Sequence, residues 1–248
     1  MILGIIPSRY ASSRFPAKAL ADIDGKTMIR RVYEQASKAK KLDEIVVATD
    51  HEAIVEEVKS FGGNVVMTSE NHQSGTDRCY EAYQNFEQKG AEYVVNIQGD
   101  EPYLYPEQID ELVDVLQAKN AEIATLIKKI ESNQELLNFS EVKVIYNNQN
   151  EAIYFSRWPI PFYRGVEESQ WYHHLDYYKH IGIYGFRTDI LAKICELQPS
   201  KLEKAESLEQ LRWIENGFKV SLGFTEYESY CVDTPEDLKI TLAKMKGK

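Results

Sequence analysis

The sequence predicts an α/β protein with a mostly parallel central sheet. Short aliphatic stretches alternate with amphipathic segments at the spacing of βαβ units, in which a helix connects two parallel strands. The clearest aliphatic stretch is Val-Val-Asn-Ile at 94–97, which runs into Gln-Gly-Asp-Glu-Pro at 98–102. Such continuous strands are typical of sheets covered on both faces, and ligands bind just beyond their carboxyl ends. The end of this strand is therefore a candidate binding site.

Strand–helix pairs account for most of the first hundred residues. We expect Pro7 to end the first strand, and Thr27 to cap the first helix. The polar loop 68–78 opens the third helix. The predicted strands are 2–6, 44–49 and 64–67, and the predicted helices are 28–40, 52–60 and a segment that ends near 88.

The same alternation continues after Pro106, apart from one aromatic segment. The predicted elements are helix 107–118, strand 123–127, a capped turn at 132–135, strand 142–146, strand 180–186, helices 188–196 and 203–216, strand 219–224 and a helix from Pro235. Segment 152–178 is rich in aromatic residues and lacks helical periodicity. Because exposed aromatic residues favour interfaces, we interpret it as an excursion from the sheet that contacts another subunit. We predict one domain over 1–248, with about 150–180 inserted.

The composition is that of an ordinary soluble globular protein rather than of a nonspecific binder of nucleic acid or membranes. The chain has 248 residues, 43% hydrophobic and 27% charged, with a net charge of −10. This charge argues against nonspecific binding to nucleic acid or to a membrane surface, whose footprint is basic. The net negative charge does not exclude a small anionic substrate, because a few cationic side chains close to the site outweigh the electrostatic potential of the whole protein. The three scattered cysteines and the lack of a long apolar run predict a cytoplasmic protein.

Several common site motifs are absent. Gly25-Lys26-Thr27 resembles the end of a P-loop, but Leu20 stands where that motif requires glycine. No GxGxxG follows the first strand, which argues against a dinucleotide site. The five histidines have no metal-ligand spacing, and no GxSxG elbow indicates a serine nucleophile.

Two sets of charges remain as candidate site residues. The loop after the first strand carries Arg9, Arg14 and Lys18 without an acid, and such cations grip polyphosphates. Asp100 and Asp233 each follow a strand-like stretch, and carboxylates suit Mg²⁺. The alternative interpretations are a solvated basic loop, an acidic turn at Asp100 and a helix-capping role for Asp233. Asp50-His51 has a similar position, and we interpret it as structural support.

Eight short motifs occur in order along the chain. They are RYxSxRxPxK at 9–18, ATD at 48–50, HxSGTDR at 72–78, NxQGDEP at 96–102, FSRxPIP at 155–161, HxGxYG at 180–185, LExxExLEQLR at 202–212 and VDTPEDL at 232–238. Together they resemble the 3-deoxy-manno-octulosonate (Kdo) cytidylyltransferase family over nearly the whole chain. The first and fourth motifs are widespread among sugar nucleotidyltransferases, whereas HxSGT and the segments around Arg157, His180 and Glu209-Gln210 are more specific to the Kdo branch.

The resemblance implies a Rossmann-like three-layer nucleotidyltransferase fold with a small dimerisation excursion, and a homodimer. It also implies Mg²⁺-dependent transfer of CMP from CTP to Kdo, with release of pyrophosphate. By similarity, Arg9, Lys18 and Asp100 are catalytic, and Asp100 and Asp233 hold Mg²⁺. The implied CTP-binding residues are Arg9, Arg14, Lys18, Ser74, Gly75 and Arg78. The implied sugar-binding residues are Gln98, Arg157, His180, Tyr184, Glu209 and Gln210.

Some positions depart from the family pattern. Phe15 stands where a smaller aliphatic residue is usual, and Cys231 stands where glycine commonly precedes Val-Asp-Thr-Pro. Nothing but adjacency to Asp100 supports Glu101 as a ligand, and we assign it no role. Two alternatives stay open: a cytidylyltransferase for another acidic sugar, such as a sialic acid or an amino-substituted Kdo, and a nucleotide- or sugar-binding module without turnover.

Overall fold

A computed structural model describes residues 1–11, 15–86, 90–228 and 230–246, with side chains up to 242. Arg14, a predicted CTP ligand, lies outside the described residues. The chain forms two compact units, which are Met1–Asp110 together with Glu228–Lys248, and Glu111–Tyr227. That the chain behaves as one domain stays a prediction.

Strands and helices alternate along the described chain. The strands are β1 (Ile2–Ser8), β2 (Asp22–Ile23), β3 (Lys26–Thr27), β4 (Glu44–Thr49), β5 (Val65–Met67), β6 (Tyr93–Asn96), β7 (Ile123–Lys129), β8 (Lys143–Tyr146), β9 (Ala152–Ser156), β10 (Tyr178–Arg187) and β11 (Val220–Phe224). The helices are α1 (Met28–Ala36), α2 (Glu52–Ser60), α3 (Gly75–Asn85), α4 (Pro106–Lys119), α5 (Asn133–Leu136), α6 (Trp171–His174), α7 (Thr188–Cys195), α8 (Lys201–Glu206), α9 (Gln210–Glu215) and α10 (Pro235–Lys246). Among the described helices, none has both the length and the apolar character needed to cross a membrane.

The first unit is built on a parallel sheet. Strand β1 pairs with β4 on one side and β6 on the other, and β5 pairs with β4. Leu3, Ile5 and Ile6 of β1 are fully buried, as expected of a strand covered on both faces. The carboxyl ends of these strands lie at one edge of the sheet, where the predicted site residues follow β1 and β6.

Pro7 does not end the first strand, as the sequence suggested. Strand β1 continues to Ser8, and Pro7 pairs in register with Ala48 of β4. The carbonyl of Ile5 accepts a hydrogen bond from Ile97 on the β6 side, and alternate residues of a strand face the same neighbour. The backbone nitrogen of Pro7, which carries no hydrogen, therefore faces the β6 side of β1. Because β6 has already ended there, no hydrogen bond between strands is lost.

Two predicted helices are shorter than expected. Helix α1 begins after Thr27, whose side chain accepts from the backbone N–H of Arg30, but it ends at Ala36 rather than near residue 40. The hydroxyl of Ser37 donates to the carbonyl of Tyr33, a local bond that competes with helix continuation. The end of α3 is at Asn85, and the predicted extension to 88 enters residues outside the described ranges.

The predicted helix 203–216 is wrong as one element. Helix α8 ends at Glu206, and Ser207 adopts a left-handed conformation with φ 54° before α9 begins at Gln210. Leu208 lies within the break between the two helices, and its side chain is buried in the core. The break also places Glu209 and Gln210 at the start of a new helix.

The second unit mixes parallel and antiparallel pairs, whereas β2 and β3 form a short antiparallel pair in the first unit. Strand β11 pairs parallel with β7, β10 pairs antiparallel with β7 and β8, and β8 pairs antiparallel with β9. The register of β10 shifts between Ile181 and Tyr184, and the hydroxyl of Thr125 lies within hydrogen-bonding distance of the carbonyls of Ile181 and Ile183, at 3.1 Å and 2.7 Å. Segment 152–178, which we interpreted as an excursion from the sheet, begins with β9, which pairs with β8 in the sheet, and also contains α6. Part of its aromatic content forms a small core of Trp171 and Tyr177 with Ile130 and Leu136.

Candidate active site

One lysine and two aspartates form a tight charged cluster in the first unit. The ammonium of Lys18 donates to Oδ2 of Asp100 at 2.9 Å and to Oδ1 of Asp233 at 3.0 Å. The lysine side chain is 16% exposed. Burial opposes its charge, but the Asp100 and Asp233 carboxylates outweigh this and raise the pKa of Lys18 above its usual value. The cluster therefore holds a charged ammonium between two acids.

Distant segments of the chain are fixed together to make this cluster. The N–H of Val232 donates to the carbonyl of Asp100 at 2.8 Å, which places the segment before α10 beside the end of β6. Gly99 permits the close approach of the backbone, because a Cβ there would lie 2.8 Å from the carbonyl oxygen of Pro7. Lys18 begins a 3-10 turn after Ala17, whose N–H donates to the carbonyl of Tyr10.

The carboxylates fit a divalent cation. Ligand atoms of Asp100, Asp233 and Cys231 all lie within 4.8 Å of one another, and carboxylate oxygens are the ligands that Mg²⁺ prefers. The ammonium of Lys18 already shows that a cation is accepted between the two acids. The thiol of Cys231 lies among protein atoms although the residue is exposed, and this desolvation, with the charges of Asp100 and Asp233, raises its pKa.

A cavity of about 230 Å³ lies beside the start of α3. Its lining residues are Pro7, Arg9, His72, Gln73, Ser74, Gly75 and Arg78. The side chain of Ser74 caps the helix by accepting from the N–H of Asp77. A helix N-terminus with nearby arginines favours a negatively charged ligand. Four of the predicted CTP-binding residues therefore surround one cavity.

Arg78 forms the inner wall of this cavity and is held by Asp50. Its guanidinium is buried and donates to Oδ2 of Asp50 at 2.8 Å and to the hydroxyl of Thr68 at 2.7 Å. The other oxygen of Asp50 accepts from the N–H of Tyr10 at 3.0 Å. Asp50 thus ties the basic loop to α3, which agrees with its interpretation as structural support.

Sequence reasoning gave no role to His72 and Cys231, which lie at these sites. His72 lines the cavity and hydrogen-bonds through Nε2 to the carboxylate of Glu81, which holds its ring in place. The feature of the sequence that could have identified His72 as a cavity residue is its position two residues before Ser74. Cys231 was recognised only as a departure from the family pattern, although its position two residues before Asp233 is consistent with both side chains reaching one site.

A second cluster, of aromatic and neutral polar groups, lies in the second unit. The ring centroids of His180 and Tyr184 are 5.0 Å apart, and Tyr184 packs edge-to-face on Trp213, also at 5.0 Å. Nε2 of His180 lies 3.0 Å from the hydroxyl of Thr125. Burial lowers the pKa of His180 to about 3, so the imidazole is neutral near pH 7.

This second cluster contains unmet hydrogen-bonding capacity. The Tyr184 hydroxyl and the Trp213 indole N–H are buried without a hydrogen-bond partner among the described residues. Burial, with the charge of Glu209, raises the pKa of Tyr184 well above its usual value, so the phenol keeps its proton. Because buried polar atoms are normally paired, these two atoms retain hydrogen-bonding capacity that the described residues do not meet.

The other predicted sugar-binding residues differ in their surroundings. Gln210 is buried, and Gln98 is half-buried in the first unit. The guanidinium of Arg157 donates to the carbonyls of Glu206, Phe139 and Ser207, and its backbone N–H donates to the Glu206 carboxylate. Arg157 therefore braces the break between α8 and α9, and its role toward a sugar stays a prediction.

The chain resembles known proteins along nearly its whole length. A family model described as cytidylyltransferase matches residues 3–222. The 3-deoxy-manno-octulosonate cytidylyltransferase of Parabacteroides distasonis is 52% identical over 245 residues, with 97% of this chain and 96% of that protein covered. The protein of the same name from Cytophaga hutchinsonii is 50% identical over 238 residues, with 96% and 94% covered.

Solved structures agree with the sequence comparison. A CMP:2-keto-3-deoxy-manno-octonic acid synthetase complexed with CTP matches with a TM-score of 0.91 at 39% identity, covering 99% of this chain and 98% of the other. The 4-diphosphocytidyl-2C-methyl-D-erythritol synthase of Anaerococcus prevotii has a TM-score of 0.63 at 14% identity, covering 99% and 98%, and shows the fold alone. These matches confirm the predicted nucleotidyltransferase fold class. The chain belongs to the cytidylyltransferase family and, within it, to the 3-deoxy-manno-octulosonate cytidylyltransferases.

Proposed function

We propose that the protein transfers CMP from CTP to the anomeric 2-hydroxyl of 3-deoxy-D-manno-octulosonate, giving CMP-Kdo and pyrophosphate for lipopolysaccharide synthesis. Family membership supports the substrates. The observation that carries the chemistry is the cluster in which Lys18 lies between Asp100 and Asp233. Transfer from a nucleoside triphosphate requires cations on the phosphates and carboxylates for a metal ion, and the cluster supplies both.

The reaction needs no covalent intermediate on the enzyme. The sugar hydroxyl attacks the α-phosphorus of CTP and loses its proton to solvent, while the bond from that phosphorus to the oxygen that bridges to the β-phosphorus breaks and pyrophosphate leaves. The contribution of the chain is to position the reactants and to neutralise charge. Lys18 and Arg9 serve this purpose, with the ammonium of Lys18 exchanging its aspartate contacts for phosphate oxygens when CTP binds.

Asp100 and Asp233 are the proposed ligands of Mg²⁺. When bound, the ion supplies neutralisation of the phosphate charge and lowers the pKa of a nearby hydroxyl. The donor set fits, because both residues present carboxylate oxygens at one position. Removal of divalent ions with EDTA should abolish pyrophosphate release, and added Mg²⁺ should restore it. Unchanged release in EDTA would reject the metal requirement.

The cavity beside α3 is the proposed nucleotide site. Arg9 and the N-terminus of α3 provide positive potential for the phosphates, while Ser74, Gly75 and Arg78 are the proposed contacts of the cytosine and ribose. Because Arg78 is held by Asp50 and Thr68, it contributes a fixed wall rather than a mobile clamp. A fixed wall favours discrimination between bases of different size.

The second cluster is proposed to bind the sugar acid. Kdo carries several hydroxyls and one carboxylate, and the Tyr184 hydroxyl and Trp213 N–H have the unmet capacity that such groups satisfy. His180, Glu209 and Gln210 complete the proposed polar contacts of this cluster. Gln98 and Arg157 are also proposed as sugar-binding residues, on the family resemblance.

A substrate panel tests the proposed function. Pyrophosphate release from CTP would be measured with Kdo, an amino-substituted Kdo and a sialic acid at matched concentrations. We expect kcat/KM to be highest for Kdo. A higher value with one of the other acids would assign the protein to that sugar, and binding of CTP and Kdo without release would identify a binding module instead.

A homodimer and a cytoplasmic location complete the proposal. Trp158 and Phe162 are 56% and 73% exposed, and large exposed aromatic groups favour a subunit contact. Cys79, Cys195 and Cys231 are not joined in disulfides, which is typical of a reducing compartment. Light scattering should give the mass of two chains, whereas a stable monomer at micromolar concentration would reject the dimer.

A further inference from the structure

Cys231 adds a soft ligand atom to a site that otherwise offers only oxygen. Its sulfur and the carboxylate oxygens of Asp100 and Asp233 lie within 4.8 Å of one another, close enough to contact a single ion. Cys231 forms no disulfide, and the residue as a whole is exposed although its thiol lies among protein atoms. The site of the proposed function therefore has a mixed oxygen and sulfur ligand set.

The backbone around Val232 explains why the thiol lies there. The side chain of Val232 is fully buried in a cluster with Ile23 and Met28, while its N–H donates to the carbonyl of Asp100 at 2.8 Å. These contacts fix the middle residue of the segment. Both of its neighbours, Cys231 and Asp233, then reach the carboxylate of Asp100.

The position between the acids is already suited to a cation. The ammonium of Lys18 contacts one oxygen of each carboxylate, at 2.9 Å and 3.0 Å. A divalent ion at this position replaces a single charge with a double one. The thiol adds nothing to binding of an ammonium or of Mg²⁺, because hard cations take oxygen ligands, but thiolates select Zn²⁺, Cd²⁺ and related ions.

We propose that Cys231, with Asp100 and Asp233, binds a thiophilic divalent cation in competition with Mg²⁺. This inference rests on the proposed function for the identity of the competing ion. On binding, the thiol releases its proton to solvent and the sulfur coordinates the metal as thiolate, while Lys18 is displaced from the two carboxylates. Zn²⁺ at this place blocks the entry of Mg²⁺, so traces of zinc inhibit turnover through a residue that departs from the family pattern.

The test is a Cd²⁺ titration of the metal-free, full-length protein without nucleotide or sugar. Thiolate coordination gives a ligand-to-metal absorption band in the ultraviolet, which reports on the site independently of activity. We expect one equivalent of Cd²⁺ to produce the band, and Zn²⁺ to remove it at far lower concentration than Mg²⁺. No band in the wild type would overturn the proposal.

Matched variants assign the band to the site. Cys231→Ser keeps the size of the side chain, and it should lose the band and weaken Cd²⁺ binding by about tenfold or more. Cys195→Ser is the control and should keep both. Asp100→Asn should weaken Cd²⁺ binding while retaining the cysteine. A band that survives in Cys231→Ser, or Cd²⁺ affinity that is unchanged in Asp100→Asn, contradicts the proposed ligand set.

The two proposals fail in distinguishable ways. Pyrophosphate release with Mg²⁺ is measured on the same wild-type preparation used for the Cd²⁺ titration. Turnover with no Cd²⁺–thiolate band rejects the thiophilic site alone. A band with no turnover on any sugar acid rejects the proposed function and leaves the metal site standing.

Discussion

The two clusters of predicted site residues are built on opposite principles. In the first unit, Lys18, Asp100 and Asp233 are charged and satisfy one another at 2.9 Å and 3.0 Å. In the second, His180 is held neutral by burial, and the polar atoms of Tyr184 and Trp213 have no described partner. The charged groups of the first cluster pair with one another until a ligand replaces those pairs. The neutral groups of the second cluster keep hydrogen-bonding capacity that a ligand can satisfy.

This difference has an energetic origin. An unpaired buried charge costs several kcal/mol, so the first cluster is stable only with an internal counterion. An unpaired buried hydroxyl or indole N–H costs about 1–3 kcal/mol, which a folded domain tolerates at a binding site. Substitutions in the two clusters should therefore have effects of different size. Their effects on stability should also differ in sign, because loss of a paired charge in the first cluster lowers stability, whereas loss of an unpaired polar group in the second raises it.

The largest effect is expected from Asp100→Asn. The amide cannot neutralise Lys18 or bind a divalent ion as a carboxylate does, so kcat should fall by about 10²–10³-fold or more. The fold should survive, because the amide still accepts a hydrogen bond from Lys18. Glu101→Gln, the adjacent residue to which we assign no role, is the control and should keep most of the activity. Near-wild-type turnover in Asp100→Asn would reject its role.

The acid sensitivity of the second cluster should be the next largest effect. The folded pKa of His180 is about 3, below the usual 6.5, so between these values the unfolded chain binds a proton that the folded chain does not. Stability falls as the pH drops from 6.5 toward 3, by up to about 1.4 kcal/mol per pH unit. Chemical denaturation between pH 7 and 4.5 should show this loss for the wild type relative to His180→Gln.

The control for this measurement is the exposed His173. His173→Gln leaves the contacts of His180 with Phe155 and Tyr184 intact, so its profile should follow the wild type. If His180→Gln also follows the wild type over the whole range, His180 titrates normally and the cluster is not desolvated.

Two buried tyrosines give the smallest effect and the clearest contrast of sign. Tyr184→Phe removes a hydroxyl without a described partner, so the free energy of unfolding should rise by about 1 kcal/mol, while KM for Kdo rises about tenfold. Tyr177→Phe removes a hydroxyl that donates to the carbonyl of Pro161 at 2.9 Å, so stability should fall by about 1 kcal/mol without a change in KM. Equal losses of stability in both variants would show that the Tyr184 hydroxyl is satisfied in the free protein.

The sequence was informative where local chemistry decides the structure. Thr234 and Asp237 form the predicted capping box at the start of α10, with side chain and backbone bonds in both directions. Ser132 caps α5 in the predicted turn. Such contacts span three residues, so the pattern of polar residues is enough to predict them.

The sequence failed where distant contacts decide the structure. Pro7 stays in β1 because β6 has ended on the side it faces, and the break at Ser207 depends on burial of Leu208 in the core. The Lys18 cluster joins residues 82 and 215 positions apart. The family resemblance already assigned Asp100 and Asp233 together to Mg²⁺ binding, but their direct contacts with Lys18 and the inclusion of Cys231 follow only from the folded backbone.

The most direct test of the central claim is whether Asp100 and Asp233 are metal ligands as well as partners of Lys18. Mn²⁺, which has a paramagnetic signal when free, would be titrated into the CTP-bound wild type and into Asp233→Asn, with the exposed acid Glu236, as Glu236→Gln, for a nearby control. We predict one saturable Mn²⁺ site in the wild type and in Glu236→Gln, and binding weakened by at least about tenfold in Asp233→Asn. Equal Mn²⁺ affinity in Asp233→Asn and the wild type would contradict the account.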